Sequence, residues 1–365
     1  MRTVRMVSQS HKLFHDGMAC ESVIVRAQAV AKINLSLDVL ERRADGYHNI
    51  DSIMQAISLA DGVTIKVAPL LCNCVPAAEK AVAFELKKIV AGGNEVTGNT
   101  KPCRINLTSN AAVPVDDKNT ALRAAKIWCE KTAASGLDLR IELDKQIPLG
   151  AGLGGGSTDA ASVLRSLNLL ASMGIIKVTP LSEQELLQTA ALIGADVPFC
   201  LIGGTARCRG IGEQIEVLDT LPAWPLLLAL PEARVSTACA YRQLDQLPQP
   251  WQRPDTAQVI QAIEARDLPR LGRNAHNVFA NLRTDLHHRL RRLEQTLQST
   301  GAAMVQMTGS GPVIFAVYED ESQRDLALQE LVNSAYTTTK FLAAHFTGLP
   351  SPPDIRCFPV ADHEF

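Results

Sequence analysis

The sequence predicts a mixed chain of strands and helices in two domains. Its 365 residues allow about two domains at roughly 100–200 residues each. Val30 to Leu40 alternates with a strict period of two, which marks a strand. After residue 158 the apolar period lengthens to that of a helix, and beyond Gly212 the pattern changes again.

In the first strand Ala31, Ile33, Leu35, Leu37 and Val39 alternate with Lys32, Asn34, Ser36 and Asp38. Alternation of this kind predicts one buried face and one solvated face. Asp45-Gly46 is a turn signal, and a second strand is expected over Gly62 to Val67. Leu70 to Pro102 is an insertion of mixed composition with a short helix expected over residues 77–90. Arg104 to Leu107 reads as a strand, Asn119 to Lys131 as a helix and Leu139 to Leu143 as a strand. Ala160, Val163, Leu164, Leu167 and Leu170 define the buried face of the next helix. Ser182 with Glu185 is a capping box that opens a further helix, and Gly194 stops it.

The second domain is expected to hold a buried strand over Trp224 to Leu230 and a helix over Arg283 to Leu297. A strand, glycine turn and strand should follow over Met304 to Tyr318. The expected divisions are an extension over 1–25, domains over 26–215 and 216–347, and an irregular, proline-rich tail over 348–365.

Composition excludes several classes. Apolar residues make up 46% and charged residues 20%, so a sizeable core is expected rather than disorder. The net charge of −2 is spread without a basic block and aromatics are only 4%, which argues against nucleic acid as a partner. No apolar run approaches the ~20 residues of a membrane span, and Met1 to Cys20 has no apolar core of the kind a secretory signal needs. The nine scattered cysteines fit a reducing cytoplasm better than a disulfide framework. Oligomeric state is not legible.

The chemistry concentrates in Pro148-Leu149-Gly150-Ala151-Gly152-Leu153-Gly154-Gly155-Gly156-Ser157-Thr158. Glycine lets backbone N–H groups approach a ligand closely, and a helix N-terminus favours an anion there. The run therefore reads as a phosphate cradle before a helix capped by Ser157 or Thr158. Gly150, Gly152 and Gly155 also satisfy a dinucleotide fingerprint, but Lys145, Gln146 and Pro148 interrupt the approach and no acid follows in Met173 to Val178. A Walker loop is excluded because Gly156 is followed by Ser157 and not by lysine.

The run resembles the phosphate loop of the GHMP kinases. That family's N-terminal strand motif has a counterpart in Ala31-Lys32-Ile33-Asn34-Leu35, and its late glycine motif in Thr308-Gly309-Ser310-Gly311-Pro312. Arg43-Ala44-Asp45-Gly46-Tyr47-His48 and Gly194-Ala195-Asp196-Val197-Pro198 are similar to the branch of the family that phosphorylates a cytidine-diphosphate-linked methylerythritol on the non-mevalonate route to isoprenoids. The resemblance runs from about Ala29 to about Tyr318. It implies an α+β fold in two lobes, with ATP and substrate in the cleft between them and Mg²⁺ as the accompanying ion.

Carried over residue by residue, the resemblance implies two catalytic groups. Alternation alone makes Lys32 a solvated strand charge; the resemblance makes it a contact of the reacting hydroxyl. Pattern alone leaves Asp196 open between a turn residue and a base; the resemblance makes it the base. Asn119 and Lys145 match nucleotide contacts, and Ser157 or Thr158 is where Mg²⁺ would touch. Asn34 and Thr237 are expected at the substrate, with Tyr47 and Tyr241 on the two faces of the cytosine and His48 at its edge. Val278 stands where the family usually carries an acid. A homoserine- or mevalonate-type kinase, or a silent nucleotide-binding relative, is the alternative; the paired Tyr47-His48 motif argues against the first, and intact Lys32 and Asp196 against the second.

Overall fold

A computed structural model describes residues 20–69, 102–334, 336–348 and 350–359. The expected helix over 77–90 lies outside the described residues. The alternating N-terminal sequence forms β1 (Cys20–Arg42), which folds back through a turn at Arg43 to Tyr47 into β2 (His48–Pro69). Residues 20–25, expected in an extension, already belong to β1, because Val23 and Val25 continue its inward-facing series.

β3 (Arg104–Ser109), α1 (Thr120–Thr132) and β4 (Leu137–Asp144) form a strand–helix–strand unit with parallel strands. α2 (Gly155–Ser172), α3 (Glu183–Ile193) and the short α4 (Val197–Ile202) follow, then β5 (Thr205–Gly210) and β6 (Gln214–Val217). The first sheet runs β11-β1-β2-β4-β3, where β11 is Asp354–Pro359. β2 changes partner along its length: Ile50 to Gln55 pairs with β5, and Gly62 to Pro69 pairs with β4. β6 pairs with β5, so the first sheet extends to Val217, two residues past the expected boundary.

The second sheet is antiparallel, in the order β10-β7-β9-β8. It contains β7 (Pro225–Pro231), β8 (Met304–Met307), β9 (Ile314–Val317) and β10 (Thr339–His345). α5 (Thr237–Asp245), α6 (Thr256–Glu264), α7 (Leu268–Asn274), α8 (Asp285–Ser299) and α9 (Glu321–Val332) complete this lobe. The tail was expected to be irregular. Instead Asp354–Pro359 forms β11 on the edge of β1, with Ile355 opposite Val25. The prolines at 350, 352 and 353 are confined to the approach, and Asp354 to Phe358 after them carry the N–H groups that pairing requires.

β1 ties the two lobes together. Val23, Val25 and Ala29 pack in the core of the first lobe; Ala31, Ile33 and Leu35 pack in a core shared with Leu226, Leu228 and Phe315 of the second sheet; Leu37 and Val39 pack with Leu227 and Phe279. Each fully buried aliphatic side chain contributes about 1.5–3 kcal/mol, so the strand is fixed along its length. The expected solvated face is absent. Lys32, Asn34, Ser36 and Asp38 are buried as well, because α2, α4 and a turn of the second lobe cover that side.

Candidate active site

α2 begins earlier than Ser157. Its N-cap is Gly154, in the left-handed region at φ +75°, and it makes no side-chain cap. Thr158 N is the amide that closes on Gly154 O at 2.9 Å, so the N–H groups of Gly155, Gly156 and Ser157 form the open first turn. The preceding loop alternates: Ala151 and Leu153 enter the shared core, whereas Leu149, Gly150 and Gly152 face outward. A row of free amides is thus presented at the surface by a loop anchored from below. Pro148 makes the half-buried turn into it.

Lys32 lies directly against this turn. Its N–H donates to Leu153 O at 3.0 Å, and a Cβ built on Gly154 would stand 2.9 Å from Lys32 Cγ. Gly154→Ala should therefore destabilise the protein by about 1–2 kcal/mol through its backbone conformation, and the displaced lysine should lower kcat/KM at least about tenfold. Thermal melts and steady-state kinetics on one preparation would test both. Unchanged kinetics would detach Lys32 from the reaction.

Lys32 Nζ sits 3.2 Å from Asp196 Oδ2, with side-chain exposures of 6% and 31%. Asp196 occupies the N-cap position of α4, yet its side chain caps nothing. The carboxylate is held at the end of a buried turn and remains available to a ligand. Its charge, with burial as the larger cause, holds the Tyr241 phenol up at about 12.

Asn34 is not an open substrate contact. It is 2% exposed and its amide is engaged: Oδ1 accepts from Lys32 Nζ at 3.0 Å and Gly309 N at 3.1 Å, and Nδ2 donates to Ser52 Oγ at 2.8 Å. Asn34 N donates to Thr308 Oγ1 at 2.9 Å. The residue thus fastens the lysine to the late glycine loop. Asn277 holds that loop from the other side, donating to Met307 O at 2.7 Å and Gly309 O at 2.8 Å. Thr237 is exposed and meets Ser310 Oγ at 3.1 Å, on the same loop.

Two expected nucleotide contacts are spent within the protein. Asn119 caps α1, accepting from Ala121 N at 2.9 Å and donating to Pro114 O at 2.8 Å. Its neighbour Thr120 donates to Gly156 O at 2.6 Å, which ties α1 to the loop. Lys145 is buried between Asp61 and Asp159, 2.5 Å from Asp159 Oδ2 and in contact with Asp61 Oδ2. Asp61 Oδ1 also accepts the amides of Gln146 and Ile147 at 2.6 and 2.7 Å. The group supports the loop from beneath. Thr158 is also buried, with its hydroxyl against the Cys200 thiol, so of the two expected ion contacts only Ser157 is half-open.

The base-binding residues are arranged differently from the expectation. Tyr47 is 62% exposed at the hairpin tip. His48 stacks on Tyr241, with centroids 4.9 Å apart and planes at 26°, so the ring face expected to receive a base already carries the imidazole. Phe279 meets Tyr241 edge-on at 5.0 Å.

The GHMP kinases N terminal domain matches residues 119–204, and the GHMP kinases C terminal domain matches residues 259–338. The 4-diphosphocytidyl-2-C-methyl-D-erythritol kinase of Caldicellulosiruptor bescii is 37% identical over 80% of this chain and 89% of its own. That of Alkaliphilus metalliredigens is 36% identical over 84% of this chain and 92% of its own. The chain belongs to the GHMP kinases. A solved 4-(cytidine 5'-diphospho)-2C-methyl-D-erythritol kinase superposes on this GHMP kinase with a TM-score of 0.63 and 28% identity, covering 88% of this chain and 99% of the other. Homoserine kinase from Cytophaga hutchinsonii, with a TM-score of 0.61 at 19% identity, shares the fold. The N-terminal match includes Asn119, the glycine loop and Asp196, and the C-terminal match includes Thr308 to Pro312. Val278, where the resemblance implied an acid, is fully buried in a 3-10 turn beside Asn277.

Proposed function

We propose that this GHMP kinase transfers the γ-phosphoryl group of ATP to the 2-hydroxyl of 4-diphosphocytidyl-2-C-methyl-D-erythritol, a step toward isoprenoid precursors. The observation that carries the mechanism is the Lys32–Asp196 pair, 3.2 Å apart beside the first turn of α2. The names and coverage of the relatives support the substrate.

The Asp196 carboxylate accepts the hydroxyl proton as the oxygen bonds to the γ-phosphorus. The bond from that phosphorus to the β–γ bridging oxygen breaks, and ADP leaves. Lys32 Nζ offsets charge at the transferred group. Phosphoryl-transfer transition states are loose, so positioning and charge neutralisation carry most of the catalysis. The amides of Gly155, Gly156 and Ser157 supply the phosphate contacts. Tyr47 offers the flat contact to the cytosine and His48 its edge, with Tyr241 bracing the histidine.

Mg²⁺ fits as a companion of the nucleotide. No cluster of three or more His, Cys, Asp or Glu side chains that could hold a metal stands among the described residues. Magnesium habitually takes one or two protein oxygens and leaves the rest to phosphates and water. Ser157 would hold it, and when bound it would neutralise charge on the β- and γ-phosphates. A cytoplasmic setting suits the reduced thiols of Cys103 and Cys239. Among the described residues no helix is long and apolar enough to cross a membrane.

The test offers purified protein ATP with the cytidine substrate, homoserine and mevalonate in separate reactions. ADP release is expected with the cytidine substrate only. Release with homoserine alone would overturn the assignment.

A further inference from the structure

His48 is gripped by two residues of one helix. Tyr241 and Asp245 are four apart in α5, so they project from the same face. Tyr241 lies against the imidazole plane, and Asp245 Oδ1 stands 2.7 Å from Nε2. His48 opens β2 in the first lobe, whereas α5 belongs to the second, so the contact also joins the two.

We propose that Asp245 is a positioning residue that fixes His48 as a hydrogen-bond acceptor at Nδ1, and thereby makes the site prefer a 4-aminopyrimidine to a 4-oxopyrimidine. This rests on the assignment of a cytidine substrate. A carboxylate only accepts, so at 2.7 Å it calls for a proton on Nε2. In a neutral imidazole the other nitrogen is then bare. Nδ1 takes no hydrogen bond among the described residues. Cytosine presents an amino donor at position 4, whereas a 4-oxo base presents an acceptor there. A bare Nδ1 pairs with the first and opposes the second. Stacking on Tyr241 fixes the plane of the ring but is indifferent to which nitrogen carries the proton. The two partners therefore divide the task, Tyr241 setting the plane and Asp245 the tautomer.

Three measurements on the full-length protein test this. Nitrogen NMR of the His48 ring should show the proton on Nε2 in the wild type. CDP should bind at least about tenfold more tightly than UDP, the scale of one hydrogen bond made or opposed. In Asp245→Ala, and in Asp245→Leu as a second variant that keeps bulk, the two tautomers should mix and the CDP-to-UDP ratio should fall toward one. KM for the cytidine substrate should rise about tenfold with kcat within about twofold, because the base sits away from the reacting hydroxyl. Asp245→Glu should recover most of the ratio. A wild-type proton on Nδ1, a wild-type protein indifferent to CDP and UDP, or variants that keep the wild-type ratio would each overturn the proposal. If the wild type phosphorylates no cytidine substrate, the functional assignment fails instead, and the NMR and nucleotide-binding results still decide the role of Asp245.

Discussion

Asp196→Asn should lower kcat by about 10²–10³-fold while leaving KM for ATP within about twofold. The magnitude follows from the character of the reaction. General-base catalysis contributes about 10²–10⁴-fold. A loose transition state leaves little bond formation at the attacking oxygen, so removing its proton should matter toward the lower end. Asparagine keeps the shape of the side chain and removes its ability to take a proton. The fold should suffer little, because Lys32 Nζ keeps its bond to Asn34 Oδ1 and the Asp196 side chain caps no helix and is about a third exposed, at 31%. The nucleotide should bind normally, since the first-turn amides of α2 are untouched. ADP release measured across substrate concentrations would decide it. Full turnover in the variant would remove Asp196 from the reaction, and a loss confined to KM would make it a binding residue.

The elements of the fold were legible wherever one periodicity governed a segment. The capping box at Ser182 and the strand–turn–strand around Gly309 lie where the pattern puts them, and β1 and α2 cover the segments it marks but begin earlier, at Cys20 and Gly155. The failures share a cause. Alternation reports which residues are polar, and a polar face need not be a solvated face. Lys32, Asn34 and Ser36 are covered by another part of the chain, and their hydrogen bonds replace water. The tail failed because its prolines hid the short pairing segment behind them.

The site was legible as a set of residue types and less so as a set of roles. The structure brings Lys32 against both Asp196 and the glycine loop. Asn34, Asn119 and Lys145 stand beside the site, but their polar groups face inward. Distinguishing a ligand contact from its support requires knowing what else lies within 3 Å, which one sequence does not disclose. Asp61 carried a usable signal, for it falls in phase with Val63, Ile65 and Val67 on the buried face of β2. Asp159 likewise precedes Val163 by one turn on the buried face of α2. An acid on an apolar face needs a partner. Asp245 gave no such sign, because its partner belongs to the other lobe.

Lys145→Met should destabilise the protein by about 3–5 kcal/mol at pH 8, the usual cost of removing one partner from a buried ion pair. The consequence falls on Asp159. Asp61 keeps two backbone donors, whereas Asp159 Oδ1 already lacks a partner and Oδ2 would lose the lysine. Burial, aided by Asp61 and opposed by Lys145, already pushes the Asp159 carboxyl from 3.8 up to about 7. A folded-state pKa above the unfolded one means that the native state binds more protons between those values. Stability through this group therefore falls as pH rises from about 4 to about 7 and is level above. Without the lysine the window extends upward, so the variant should be weakest at pH 8 and recover toward pH 5. Lys145→Met combined with Asp159→Asn should regain part of the loss at pH 8 and respond less to pH. Urea unfolding at both pH values measures all of this. The resemblance to nucleotide contacts makes the opposite forecast, with KM for ATP raised and stability unchanged. That outcome would mean that Lys145 faces the nucleotide, and that the loop does not rest on a buried ion pair.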